Sequence, residues 1–146
     1  MNIKYMREYK VSIVKSDVLA YAKSVASPDD VYSIFREYME SRDREHLCIV
    51  LLNNKNLILG FHVLSIGSLT EAIVDPGSIV KMLCLGNASG CILMHNHPSG
   101  DSKPSEQDKT ITKKVKEICK LIDKPLIDHI VFGDNNFYTF ANEGTL

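Results

Sequence analysis

MHNHPSGDSKPSEQD, from Met94 to Asp108, gathers most of this chain's chemistry-bearing residues into one short segment. It follows directly on the apolar run Cys91-Ile92-Leu93-Met94, which reads as a strand. On an extended strand residues i and i+2 share a face, so the imidazoles of His95 and His97 can converge on one point. Pro98 rules out a continued central strand, and Ser99-Gly100-Asp101 has the composition of a turn. Ser105-Glu106-Gln107-Asp108 then opens an amphipathic helix. A strand end with two imidazoles and a helix start with a carboxylate supply three ligands of the kinds zinc accepts. With water as the fourth ligand, that is the open site of a catalytic zinc.

Taken singly, these residues have plainer readings. A His-x-His pair also suits the exposed face of a strand end. Ser105 is a good N-cap, and Asp108, three residues on, matches the carboxylate of a capping box. The combination is more specific. His95-Asn96-His97-Pro98, six loop residues, then Ser105-x-x-Asp108 resembles the JAMM signature of the JAB/MPN metalloprotease fold, with every position present. Within that superfamily, HNHPSGD followed by PSxxD is similar to the bacterial RadC type. The resemblance runs from about Arg44 to the C-terminus. It implies a metal-binding domain over residues 44–146, with residues 1–43 as an N-terminal extension whose one or two helices pack on the core.

The chain has 146 residues, enough for one domain with a sizeable core. Hydrophobic residues at 45% and charged residues at 24% are ordinary for a globular protein. A formal net charge of −1 provides no global basic field to recommend nucleic acid as a partner. Lys113, Lys114, Lys116, Lys120 and Lys124 do cluster, and a solvated helix face accounts for them. Cys48, Cys84, Cys91 and Cys119 show no Cys-x-x-Cys spacing and each sits in an apolar run or on the apolar side of a helix. Reduced thiols in a cytoplasmic protein are the expectation. The charged N-terminus MNIKYMREYK lacks a signal-peptide core, and no apolar stretch approaches a membrane span.

In chain order, residues 1–15 suggest a short strand or arm, and residues 16–25 a short helix capped by Ser16. Ser27-Pro28-Asp29-Asp30 starts a firmer helix, with Pro at the first helical position and acids where the helix dipole favours them. Val31, Ile34, Phe35, Tyr38 and Met39 give it a core-facing stripe. Leu47–Leu52 is an apolar run that reads as a strand buried on both faces. A turn at Asn53–Asn56 leads to a second strand over 57–67, and a third is expected over 68–74. Asp75-Pro76 begins a helix with Ile79, Val80, Leu83 and Cys84 on one side, closed at Gly86-Asn87 by a left-handed residue. After the Cys91–His97 strand, the helix from Ser105 buries Ile111, Val115, Ile118, Cys119 and Ile122. Strands follow at 125–133 and 137–140. Interleaved strands and helices predict a three-layer α/β/α fold with a mixed β-sheet. JAB/MPN domains share that architecture and resemble cytidine deaminases in layout.

The resemblance implies further roles. JAMM proteins place a glutamate general base well upstream, at the start of an early strand. The upstream candidates are Glu8, Glu37, Glu40, Glu45 and Glu71. Glu45, followed by His46 and the buried Leu47–Leu52 run, stands ahead of Glu71 on motif context, and Glu71 stays open as the alternative. Outside that context Glu45 reads as a solvated link residue. The family's serine helps stabilise a tetrahedral intermediate, a role that falls on Ser105 alongside its capping role. His62 reads as a core or surface histidine. His46 points away from Glu45's side of an extended chain, and His129 follows Asp128 at a strand position where a supporting role is conceivable. Ser99, Asp101 and Ser102 are read as structural loop residues.

The implied activity is that of a zinc metallopeptidase or isopeptidase, with one Zn2+ per chain on His95, His97 and Asp108 and a peptide or protein substrate. A zinc deaminase shares the layout, but its His-x-Glu and Pro-Cys-x-x-Cys motifs are absent. A DNA-repair-associated or non-catalytic scaffold protein is the other rival, since RadC-type proteins carry a DNA-repair label. Full-length members set a helix-hairpin-helix region before this domain. Here about forty residues precede Arg44, without a hairpin glycine pair or basic excess, so the DNA role lacks its usual support.

Overall fold

A computed structural model describes residue 10, residues 24–69 and residues 74–146. The described elements are α1 (Pro28–Glu40), β1 (His46–Leu52), β2 (Ile58–Ile66), α2 (Pro76–Leu85), β3 (Gly90–Asn96), α3 (Glu106–Leu121), β4 (Leu126–Phe132) and β5 (Phe137–Thr139). The five strands form one sheet in the order β2-β1-β3-β4-β5. The β3–β4 pair is parallel and the other pairs are antiparallel, so the sheet is mixed.

The uninterrupted apolar runs of β1 and β3 follow from this placement. Both are interior strands, and every residue in each is buried. Alternation sends Leu47, Ile49, Leu51, Cys91 and Leu93 to one face, where α2 and α3 meet them through Ile79, Leu83, Ile111, Val115 and Cys119. Cys48, Val50, Leu52, Ile92 and Met94 go to the other face, against Val31, Phe35 and Met39 of α1. Helices thus cover both faces, giving the three-layer α/β/α arrangement with a core on each side of the sheet. Helix α1 forms one of these layers.

Local signals end the elements as expected. Ser27 N–H donates to the Asp30 carboxylate at 3.0 Å, and Pro28 occupies the first turn of α1. Asp75 caps α2 by accepting from Gly77 N and Ser78 N. Asn87, at φ 50°, is the left-handed residue that closes α2, and Ala88 N–H reaches back to the Leu83 carbonyl at 3.0 Å. Cys84 departs from expectation. It is exposed, because the short α2 turns only Ile79 and Leu83 fully into the core. Cys48, Cys91 and Cys119 are buried free thiols. Nearly all of the strand or arm expected over 1–15 and most of the helix over 16–25 and of the strand over 68–74 lie outside the described residues, as do Glu8 and Glu71; at the end of the expected helix Ser24 instead bridges Leu57 in antiparallel fashion. Among the described residues, no helix is long and apolar enough to cross a membrane.

Candidate metal centre

Strand β3 is central in the sheet, and its carboxyl end delivers the first candidate ligand. His95 is fully buried on the α3 face. His97 lies just past the strand, but its N–H still bonds the Phe132 carbonyl at 2.8 Å, so the extended direction is kept through both histidines. The chain then turns: Gly100 N–H returns to the His97 carbonyl at 3.0 Å. Gly100 has φ 86°, and a Cβ there would lie 3.1 Å from Asp134 Cβ, so this position requires glycine. The loop is pinned by Asp134 N–H donating to the Gly100 carbonyl at 2.9 Å.

Helix α3 brings the third candidate ligand. Ser105 is its N-cap, with Ser105 Oγ accepting from Asp108 N–H at 3.1 Å and Ser105 N–H donating to Asp108 Oδ2 at 2.6 Å. The capping box and the ligand position are therefore the same geometry, and the box aims the carboxylate. Asp108 Oδ1 lies 3.1 Å from His95 Nε2, and Asp108 Oδ2 lies 3.2 Å from His97 Nε2. The two Nε2 atoms are 2.8 Å apart. One ligand atom from each of His95, His97 and Asp108 falls within 4.8 Å of the others. Bare nitrogen lone pairs at such a distance repel one another, so a positive species, either a proton or a metal ion, suits the space among them. The donor set fits a metal: two imidazole nitrogens and a carboxylate converge at the sheet's end.

Outer contacts orient these ligands. His97 Nδ1 donates to the Asp101 carbonyl at 2.7 Å, which leaves Nε2 directed inward. The Asp101 backbone therefore contributes to the site although its side chain does not. His95 Nδ1 lies 2.8 Å from His129 Nε2, and His129 Nδ1 lies 2.6 Å from Thr112 Oγ1. The parallel register sets His129 beside Leu93, so it shares the face of His95. Thr112 is one turn beyond Asp108 on α3. Thr112 carries no signal in the sequence, whereas His129 is singled out there by following Asp128 at its strand position.

Glu45 reaches the same region through the β1–β3 ladder. Leu47 pairs with His95, so continuing that antiparallel register sets Glu45 opposite His97. Its Oε2 accepts from Leu69 N–H at 3.2 Å. Asn96, between the two histidines, clamps the segment on either side of Glu45. Its Oδ1 accepts from His46 N–H at 2.8 Å, and its Nδ2 donates to the Arg44 carbonyl at 3.0 Å. The ladder hydrogen bonds are thereby carried past the last paired residues by a side chain. His46 turns its ring toward the Arg44 carbonyl, and His62 is exposed on β2. A polar cleft of about 180 Å³ opens beside His97, lined in part by Arg42, Asn96, Gly100 and Asp134. Glu40 borders the cleft beside His97, where its carboxylate is engaged by Tyr32, Arg36 and Asn135.

The electrostatics agree with this geometry. Burial works to raise the Asp108 carboxyl, but hydrogen bonds from His95 and His97 outweigh it and hold the group below the usual carboxylate range. The hydrogen bond to Asp108 raises His97 above its ordinary value against the opposing effect of burial. The Asp101 carbonyl and the charges of Asp108 and Glu45 add to that rise. Burial pushes His129 well below its ordinary value, with His95 adding to the effect.

These directions predict the pH dependence of metal-free stability. A lowered Asp108 stabilises the fold above the ordinary carboxylate pKa of about 3.9, and that contribution is lost as pH falls through its folded value. A raised His97 stabilises fully below about 6.5, and its contribution is lost as pH rises through its folded value. Chelator-treated wild type should therefore exceed Asp108→Asn in stability most between about pH 4 and 6.5. Urea melts across pH measure this, and a difference that stays constant up to pH 9 contradicts it.

Comparison with known proteins agrees with this arrangement. The family model of the RadC-like JAB domain matches residues 25–145. A UPF0758 protein of Clostridium acetobutylicum is 39% identical over 122 residues, covering 84% of this chain and 53% of that protein. One from Caldanaerobacter subterraneus is 39% identical over 121 residues, covering 83% and 52%. One from Methanosarcina acetivorans is 38% identical over 122 residues, covering 84% and 53%. The chain spans about half the length of these curated relatives. With the His-x-His strand end, the capped carboxylate and the mixed three-layer sheet in one matched segment, the chain belongs to the RadC-like JAB domain family.

Proposed function

We propose that this chain is a zinc-dependent metallopeptidase or isopeptidase of the JAMM class, hydrolysing an amide bond of a peptide or protein substrate. The observation that carries the reading is the convergence of His95, His97 and Asp108 on one point, and the charge of Glu45, which acts on His97, supports Glu45 as the base. When bound there, zinc acts as a Lewis acid that makes water nucleophilic near neutral pH. His95 and His97 supply nitrogen ligands, and Asp108, held ionised, supplies the oxygen ligand. Glu45 takes a proton from the attacking water and returns it to the leaving amine as the carbon–nitrogen bond breaks. Ser105 accepts the Asp108 N–H through its lone pair, so its own hydroxyl proton is free to donate to the carbonyl oxygen as charge develops there.

The DNA-repair or scaffold alternative draws on the family label, and the near-neutral charge offers it no support. The deciding experiment combines metal analysis of protein purified without added metal with turnover of a panel of peptide and isopeptide substrates. One zinc per chain and chelator-sensitive cleavage are expected. Zinc binding with no cleavage across the panel favours the scaffold reading.

A further inference from the structure

We infer that Thr112 and His129 are positioning residues that set the proton on His95, so that His95 presents a bare Nε2 to the metal. This rests on the metal-site reading above and not on the identity of any substrate. The argument is a count of protons along one chain of hydrogen bonds. Thr112 Oγ1 lies 2.6 Å from the Asp108 backbone carbonyl and 2.6 Å from His129 Nδ1. A carbonyl only accepts, so the single hydroxyl proton points to Asp108. The hydroxyl then has only lone pairs to offer His129, and His129 Nδ1 has to be the donor.

His129 is fully buried, and among the described residues no carboxylate hydrogen-bonds its ring. Full burial disfavours a second, charging proton on this ring, so it carries one proton, the one on Nδ1. Its Nε2 is therefore an acceptor. That nitrogen lies 2.8 Å from His95 Nδ1, so His95 donates from Nδ1 and keeps Nε2 free. The freed Nε2 faces Asp108 Oδ1 at 3.1 Å, which is the metal-binding corner. Phe140 stacks on the His129 ring at 4.9 Å and 9°, fixing the plane in which these bonds line up. The relay begins and ends on α3 residues: Asp108 receives the Thr112 proton through its carbonyl and faces His95 through its carboxylate. A metal ligand usually rests its second nitrogen on a carboxylate or carbonyl, which fixes the tautomer directly. Here the partner is another imidazole, so the tautomer depends on one hydroxyl two bonds further out.

The test uses zinc alone as the probe, with protein labelled in the histidine nitrogens. In the zinc-loaded wild type, NMR should show His129 protonated at Nδ1 and bare at Nε2, and His95 protonated at Nδ1. Thr112→Val keeps the shape but removes the acceptor for His129 Nδ1. His129 should then shift toward the Nε2-protonated form, and zinc affinity should fall by about 10–100-fold. Thr112→Ser restores the hydroxyl and should restore both signals. Finding His129 protonated at Nε2 in wild type overturns the inference. So does a Thr112→Val protein with unchanged zinc affinity, or a well-folded Thr112→Ser that fails to rescue it. The His129 tautomer is read in metal-free protein as well, where protonation at Nδ1 is also expected, so the test does not depend on zinc binding. A protein with the expected tautomers that cleaves nothing argues against the peptidase reading alone. One that cleaves peptides with His129 protonated at Nε2 overturns this inference alone.

Discussion

Glu45→Gln is expected to bind zinc at the wild-type stoichiometry while hydrolysing its substrate about 10²–10⁴-fold more slowly. Glutamine matches the carboxylate in size, so Leu69 N–H can still find a carbonyl oxygen where Glu45 Oε2 now accepts it. The Asn96 clamp holds the Arg44 and His46 backbones, not the Glu45 side chain, and it survives the substitution. The loss is therefore confined to proton transfer: an amide cannot take the proton of the attacking water. Charge near His97 also changes, because Glu45 contributes to the rise of the His97 imidazolium. Removing that contribution lets His97 deprotonate at slightly lower pH, which favours metal binding and does not impede it. Metal analysis and turnover on the same preparation separate the two effects. Wild-type turnover by the Gln variant removes Glu45 from the reaction and returns the question to Glu71, the alternative base.

His97→Ala is expected to lose zinc and activity together. Only His95 and Asp108 would be left as protein ligands, where catalytic zinc sites use three. The substitution also takes the Asp108 Oδ2 partner at 3.2 Å and the Asp101 carbonyl's donor at 2.7 Å. Losing hydrogen bonds to a charged group costs the metal-free fold about 1.5–3 kcal/mol. Ser105 N–H still holds Asp108, so the domain should fold. Circular dichroism with zinc titration measures both consequences. Stoichiometric zinc in a folded His97→Ala protein contradicts the assigned ligand set.

The contrast between these variants follows the way each residue enters the site. His95, His97, Ser105 and Asp108 lie within fourteen residues of one another, and local rules arrange them. A strand's two-residue period aligns the imidazoles, and a capping box turns the carboxylate back toward the start of α3. Glu45 stands fifty residues before His95, and no local rule brings it near. The antiparallel register of β1 on β3 does so, through the pair Leu47 and His95.

From the sequence alone came the order of the elements from α1 onward that the structure describes, the doubly buried strands, the helix caps and the residue types gathered around one turn, because periodicity, capping and turn chemistry act over a few residues. The partners across the sheet were decided by tertiary structure. Asn96 reads as a spacer between histidines until its amide is seen clamping Arg44 and His46. Asp101 reads as a turn residue until its carbonyl is found orienting His97. Cys84 sits in an apolar run, but the two-residue core contact of α2 leaves it in solvent. Thr112 and His129 look like an ordinary helix residue and a strand histidine. They become one hydrogen-bonded relay only because β3 and β4 pair in parallel while α3 packs across both, and a contact of that kind depends on strand register and helix packing that no local stretch encodes.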